Sequence, residues 1–170
     1  MQPAMTELHD DVSALLNRLC DCWTRLSLPE IADLWDRDDP GIFLLPQEIE
    51  HPLVGWPALE DYLARAQARL HAASMRVRNL NVRPLAPGMA VALYEMHWNG
   101  LIKGMARPMG VDSRATAVFR RRPDGWRICH YVEAPVAFML HLQQRYHAAV
   151  DADFLARIEK ERSGGPPAAP

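Results

Sequence analysis

Two pairs of side chains in this sequence combine residue types and spacing that suit acid–base chemistry. Glu95 and His97 stand two apart in MAVALYEMHW (89–98), on one face of any strand formed there. A carboxylate and an imidazole so placed serve as general base and acid once burial moves their pKa values toward neutrality. Arg114 and His130 sit inside RATAVFRRRPDGWRICHYVEAP (114–135), where two apolar runs flank a Pro-Asp-Gly turn. A buried guanidinium keeps its charge and needs an anion beside it. If that anion is Glu95, Glu133 or a helix carboxylate, Arg114 is structural; if it is a ligand, Arg114 is functional. Trp23, Trp35, Trp56, Trp98 and Tyr62 suit either the wall of a pocket for a flat apolar ligand or plain core. The candidates are thus His130, Glu95 and His97 for catalysis, and Arg114, Thr116, Trp23, Trp35, Trp98 and Tyr62 for binding.

Other chemistries find little support. Cys20 and Cys22 lie two apart, roughly 200° around a helix, so they do not chelate together, and His141 and His147 fall on different helix faces. No metal is expected and no cofactor, since Gly-rich phosphate loops and nucleophile elbows are missing. The 19 basic and 21 acidic residues leave a net charge of -2, which favours neither nucleic acid nor an anionic membrane. The basic triplet Arg120-Arg121-Arg122 reads as a solvated hairpin tip. No apolar run reaches the roughly 18 residues of a membrane span, and MQPAMTELHDD lacks the basic and apolar regions of a signal peptide. With three cysteines and no disulfide framework, a cytoplasmic location is expected.

The elements that must position these residues follow from periodicity. A chain of 170 residues, 49% hydrophobic and 24% charged, reads as one domain over 1–162, with a tail, SGGPPAAP (163–170), disordered by composition. Leu8, Val12, Leu15, Leu16, Leu19, Trp23 and Leu26 recur every three or four residues and predict a first helix, with Thr6 as its cap. Ser27-Leu28-Pro29-Glu30 has capping-box spacing and opens a short second helix. Ile42 to Leu45 reads as a short strand closed by Pro46, and Gly55-Trp56-Pro57 opens a third helix. MRVRNLNV (75–82) and 89–98 alternate as strands, 99–110 reads as a long flap, and Pro135 starts a last helix to about residue 160. Three helices, a run of antiparallel strands and a final helix make an α+β domain. Its curved antiparallel sheet forms a cone, with the N-terminal helices in the concave face.

Leu34-Trp35-Asp36-Arg37-Asp38-Asp39, Gly55, Arg114-Ala115-Thr116-Ala117-Val118-Phe119-Arg120-Arg121 and Asp124-Gly125-Trp126-Arg127-Ile128-Cys129-His130 carry a resemblance over residues 8–134. Together they resemble the nuclear transport factor 2-like superfamily and, within it, the SnoaL-like proteins. The resemblance implies a cone-shaped α+β fold, a pocket inside it and dimerisation through the sheet. Steroid-isomerase relatives carry a catalytic aspartate where this chain has Leu45-Pro46, so that base is missing here. Other relatives end the last strand with His-x-His-x-Ser, of which only His130 remains, Val132 and Ala134 filling the other places. The hairpin register, with Arg122 opposite Trp126 and a glycine bulge, puts Val118 opposite His130, Thr116 opposite Val132 and Arg114 opposite Ala134. That face, with Ile128, is expected to look into the cone. The face of Ala115, Ala117, Phe119, Cys129 and Tyr131 is expected outside, covered by a second copy. The expected protein binds an apolar small molecule with room for an anionic or phenolic group on it, and its enzymatic version is a cofactor-independent lyase, isomerase or cyclase. The competing expectation is a non-catalytic dimerisation or scaffold domain.

Overall fold

The computed structural model describes residues 5–136 and 150–163, and the chain falls into two compact units, Met1–Val136 and Ala137–Pro170. In the first unit, helices α1 (Met5–Arg25), α2 (Leu28–Ala32) and α3 (Trp56–Arg69) accompany strands β1 (Phe43–Leu45), β2 (Leu53–Val54), β3 (Leu70–Ala86), β4 (Met89–Ile102), β5 (Met109–Arg122) and β6 (Gly125–Pro135). The six strands form one curved, unclosed sheet in the order β2-β1-β6-β5-β4-β3. Every pairing is antiparallel except that of β1 with β6. This is the expected α+β cone with its long helix on the concave side, except that the sheet is mixed.

The stripe on α1 does what its spacing predicts. Leu8, Val12, Leu15, Leu16, Leu19 and Trp23 are buried, and the helix lies along β3. Each such side chain withdrawn from water contributes about 1.5–3 kcal/mol before the entropy of ordering it is counted. Helix α2 ends at Ala32, after which Leu34 and Asp36 bond through their backbones to Ile128. The Ser27 hydroxyl donates to the Glu30 carboxylate at 2.7 Å, so the capping-box pair meets side chain to side chain.

The hairpin at 114–135 differs from expectation in one decisive detail. Arg122 pairs with Gly125, not Trp126, and the extra residue is Cys129, bulged between Ile128 (opposite Phe119) and His130 (opposite Val118). Thr116–Val132 and Arg114–Ala134 pair as predicted. Because the bulge breaks the alternation, Ile128 faces the core while His130 faces away from it.

Apart from Ile128, which faces the core as expected, the two faces of the hairpin are the reverse of those expected. Ala90, Ala92, Tyr94 and Met96 of β4 and Ser113, Ala115, Ala117 and Phe119 of β5 are at most 2% exposed and form the inner face. The small residues among them leave room for the larger side chains of the same core. Glu95, Arg114, Thr116, Val118, His130 and Val132 stand on the outer face.

Three further expectations are corrected. The stretch 99–110 is no long flap: β4 runs to Ile102 and β5 begins at Met109. Pro135, expected as the first residue of a helix, is instead the last residue of β6. In the second unit, a helix α4 (Ala152–Ser163) covers the latter part of the predicted last helix. Residues 137–149, with His141 and His147, and all of the predicted tail beyond Ser163 lie outside the described residues. Finally, the triplet Arg120-Arg121-Arg122 is tied down rather than simply solvated. Arg120 and Arg122 bond Asp36, which is 1% exposed, and Arg121 bonds Asp11 of α1 at 2.9 Å.

Candidate functional site

The inner face closes around a cavity of about 480 Å³ bounded by α1, α3, the segment after β1, and the ends of β4, β5 and β6. That volume suits a small organic molecule. Trp23 comes from the last turns of α1, Trp35 from the segment after α2, Tyr62 from α3 and Trp98 from β4. All four were predicted as pocket aromatics, and the structure brings them together. Trp23 meets Tyr62 edge to face, with ring centroids 6.4 Å apart and planes at 68°. Trp56 does not line the cavity; Arg37 lies over its ring, 4.8 Å from the centroid.

Polar side chains interrupt this apolar lining on β6, after β1 and on α3, where Arg65 and Arg69 also reach the cavity. Glu133 and Tyr131 project from β6 into the cavity, and Tyr131 donates its hydroxyl proton to the Glu133 carboxylate. The Gln47 backbone lies near the same carboxylate. Tyr62 donates to Glu48 at 2.8 Å, and Gln47 turns a buried amide oxygen without a hydrogen-bond partner into this region. Burial raises the Glu133 carboxyl above the ordinary carboxylate range, with the bond from Tyr131 opposing the shift. Burial also pushes the Tyr131 and Tyr62 phenols well above their usual value, so both stay protonated as donors. The nearby Cys20 thiol is pushed up to about 11, chiefly by burial, and is a poor nucleophile.

The remaining predicted site residues lie elsewhere. Arg114 is exposed and reaches the Pro135 carbonyl at 3.4 Å, so no buried guanidinium demands an anionic ligand. Thr116 is half-buried on the same outer face. His130 stacks on Phe43 with centroids 4.7 Å apart and planes 6° off parallel, and its partial burial lowers its pKa. His97 bonds Asp112 at 2.9 Å and Asn99 at 3.2 Å, and Arg78 holds the same aspartate at 2.8 Å. Glu95 is exposed beside them. The structure thus separates all three predicted catalytic residues from the cavity and puts Glu133 and Tyr131 there instead. The signal for those two was an acid and a phenol alternating in the apolar run YVEAP (131–135), on the face expected outside.

The SnoaL-like domain model matches residues 12–138, more than half of the chain. The chain belongs to the SnoaL-like family. Among curated proteins none matches it. Solved structures share the fold of this SnoaL-like protein at low identity. A nuclear transport factor 2-like superfamily protein from Salmonella enterica is 15% identical, with a TM-score of 0.70 over 80% of this chain and 96% of its own. A protein assigned as a dehydratase of the same superfamily, from Streptomyces avermitilis, is 16% identical, with a TM-score of 0.69 over 78% and 99%. Hexachlorocyclohexane dehydrochlorinase from Novosphingobium barchaimii is 12% identical, with a TM-score of 0.62 over 76% and 87%. Among the described residues no helix is long and apolar enough to cross a membrane.

Proposed function

We propose that this SnoaL-like protein binds a flat, apolar molecule bearing a phenol or carbonyl and acts on it by cofactor-independent proton transfer. One observation carries the reading: a cavity walled by aromatic residues ends on a carboxylate, Glu133, that burial makes a better base and that Tyr131 orients. Glu133 would take a proton from carbon beside a carbonyl, and a tyrosine hydroxyl would hydrogen-bond the enolate oxygen. Return of the proton to another carbon is isomerisation; loss of a β-substituent is elimination. The fold neighbours named as dehydratase and dehydrochlorinase support the second outcome. A phenolic ligand fits the Glu133 end better than an anionic one, because Glu48 and Glu133 both line the cavity, Arg114 is outside, and Arg65, which also lines it, is already paired with Asp61 at 2.8 Å.

The test uses 2-tetralone, a flat aromatic ketone. Native protein should speed exchange of its α-hydrogens for solvent deuterium, followed by NMR, and Glu133→Gln should abolish the gain. Exchange at the uncatalysed rate in both would refute the acid–base reading. Cavity binding is read separately, from quenching of tryptophan fluorescence by 2-naphthol.

A homodimer through the outer sheet face belongs to the same proposal, now on different residues. Register places Val91, Val118, His130 and Phe43 in one row across four strands, with Leu93, Thr116, Val132 and Leu45 in the next. Leu93 is 58% exposed there, an apolar patch that a second copy would cover. A cytoplasmic site of action is supported by three cysteines that all remain free thiols.

A further inference from the structure

The wall of the cavity formed by β4 contains an arrangement that sets how long a ligand fits. Trp98 and Gly100 lie two apart on β4, both on the inner face, and the indole of Trp98 lies along the strand over Gly100. A Cβ built at Gly100 would stand 2.2 Å from two ring carbons of Trp98 and 3.1 Å from a third. No side chain, not even a methyl, fits beneath a rigid ring at that distance. Gly100 is buried within the sheet, opposite Ala73 of β3 and Met109 of β5. The partners of Trp98 are Met75 and Val111, and both of these line the cavity with it, as does Met109. Neighbouring side chains thus flank the ring on both sides, and the strand lies below it. The direction left open is upward, into the cavity.

We infer that Gly100 is a specificity-determining residue: by leaving room for the Trp98 ring to lie flat, it sets the length of ligand the cavity takes. The inference rests on the reading of the cavity as a ligand site. It adds that ligand size is controlled by a residue that touches no ligand. A methyl at position 100 lifts the indole into the space a second fused ring would occupy, while a single-ring ligand at the Glu133 end keeps its place. The effect runs through Trp98 alone, so shortening that side chain undoes it.

The experiment compares phenol with 2-naphthol by calorimetric titration against native protein, Gly100→Ala, Trp98→Leu and the double variant. Gly100→Ala should weaken 2-naphthol at least ten-fold and leave phenol within two-fold of native. The double variant should recover 2-naphthol binding, which a general loss of structure would not. Trp98→Leu alone should admit 2-anthrol, a three-ring phenol, more tightly than native protein does. If Gly100→Ala fails to fold while the double variant folds, the steric conflict is confirmed directly. If Gly100→Ala binds both phenols as native protein does, or Trp98→Leu leaves the size preference unchanged, the role of Gly100 is overturned while the cavity reading stands. If native protein binds neither phenol, both fall together.

Discussion

Replacing Asp36 with asparagine tests whether the Asp36 cluster holds the hairpin tip to the segment after α2. The Asp36 carboxylate is 1% exposed and accepts four hydrogen bonds. They come from Arg120 Nη1 at 2.8 Å, Arg122 Nε and Nη2 each at 2.9 Å, and the Asp38 backbone N–H at 3.3 Å. Asparagine keeps the volume, so no cavity term enters, but it removes the charge and turns an N–H₂ toward arginine donors. Breaking a buried ion pair costs about 3–5 kcal/mol, mostly because the surviving charge is stranded. Here the arginines retain Asp39 at 3.0 Å and Asp38 at 3.6 Å, and their side chains are 33% and 27% exposed to water. The expected loss is therefore about 2–3 kcal/mol, or about 5–10 °C in Tm for a chain of this size. Urea denaturation followed by circular dichroism measures it. Adding Arg122→Met to Asp36→Asn should cost less than the sum of the single changes, since the stranded guanidinium is then gone. A loss below about 0.5 kcal/mol, or strictly additive changes, would refute the reasoning.

Other consequences are open to measurement. Because burial raises the Glu133 carboxyl, its contribution to stability is full at acid pH and is lost as pH rises through its folded-state pKa. Glu133→Gln should match native Tm in mild acid and exceed it at pH 8; a difference that does not vary with pH would contradict this. Leu93→Glu on the outer face should convert a dimer to a folded monomer by light scattering at micromolar concentration, and native protein that is already monomeric would end the dimer proposal. Arg114→Met, remote from the cavity, should leave 2-naphthol affinity within two-fold, whereas a ten-fold loss would return this arginine to the site.

The fold was legible because its periods are clean: the stripe on α1 and the alternation of the long strands each allow one secondary structure. What a period of two does not tell is which face turns inward. Ala115, Ala117 and Phe119 are as compatible with a flat surface for a second sheet as with the inner face of the domain, and here they belong to the core. The mixed outer face, with Glu95, His97, Arg114 and His130, has the residue types of an active site but only the burial of a solvated surface. The bulge at Cys129 was equally out of reach, since a hairpin absorbs an extra residue at its turn or farther along with little local difference in sequence. Asp36 finds its arginines more than eighty residues away, a separation no local pattern reveals. Trp23 and Tyr62 come together at the cavity because they sit on the stripes of their own helices, and Trp98 joins them from the inner face of an alternating strand.

The parallel pairing of β1 with β6 sets a schedule for making this protein. Phe43, Leu44 and Leu45 find their partners only at His130, Tyr131 and Val132. On a ribosome adding about 5–20 residues per second, the intervening stretch of almost ninety residues takes roughly 4–18 s. Through that interval an apolar strand waits with an unmet edge, and α1 waits for the sheet it covers. The unit is therefore completed near the end of its synthesis, and its vulnerability to wrong partners is greatest just before β6 emerges. Slowing translation between residues 45 and 132 should lengthen that exposure and lower the yield of folded chain, while slowing it before residue 43 should not.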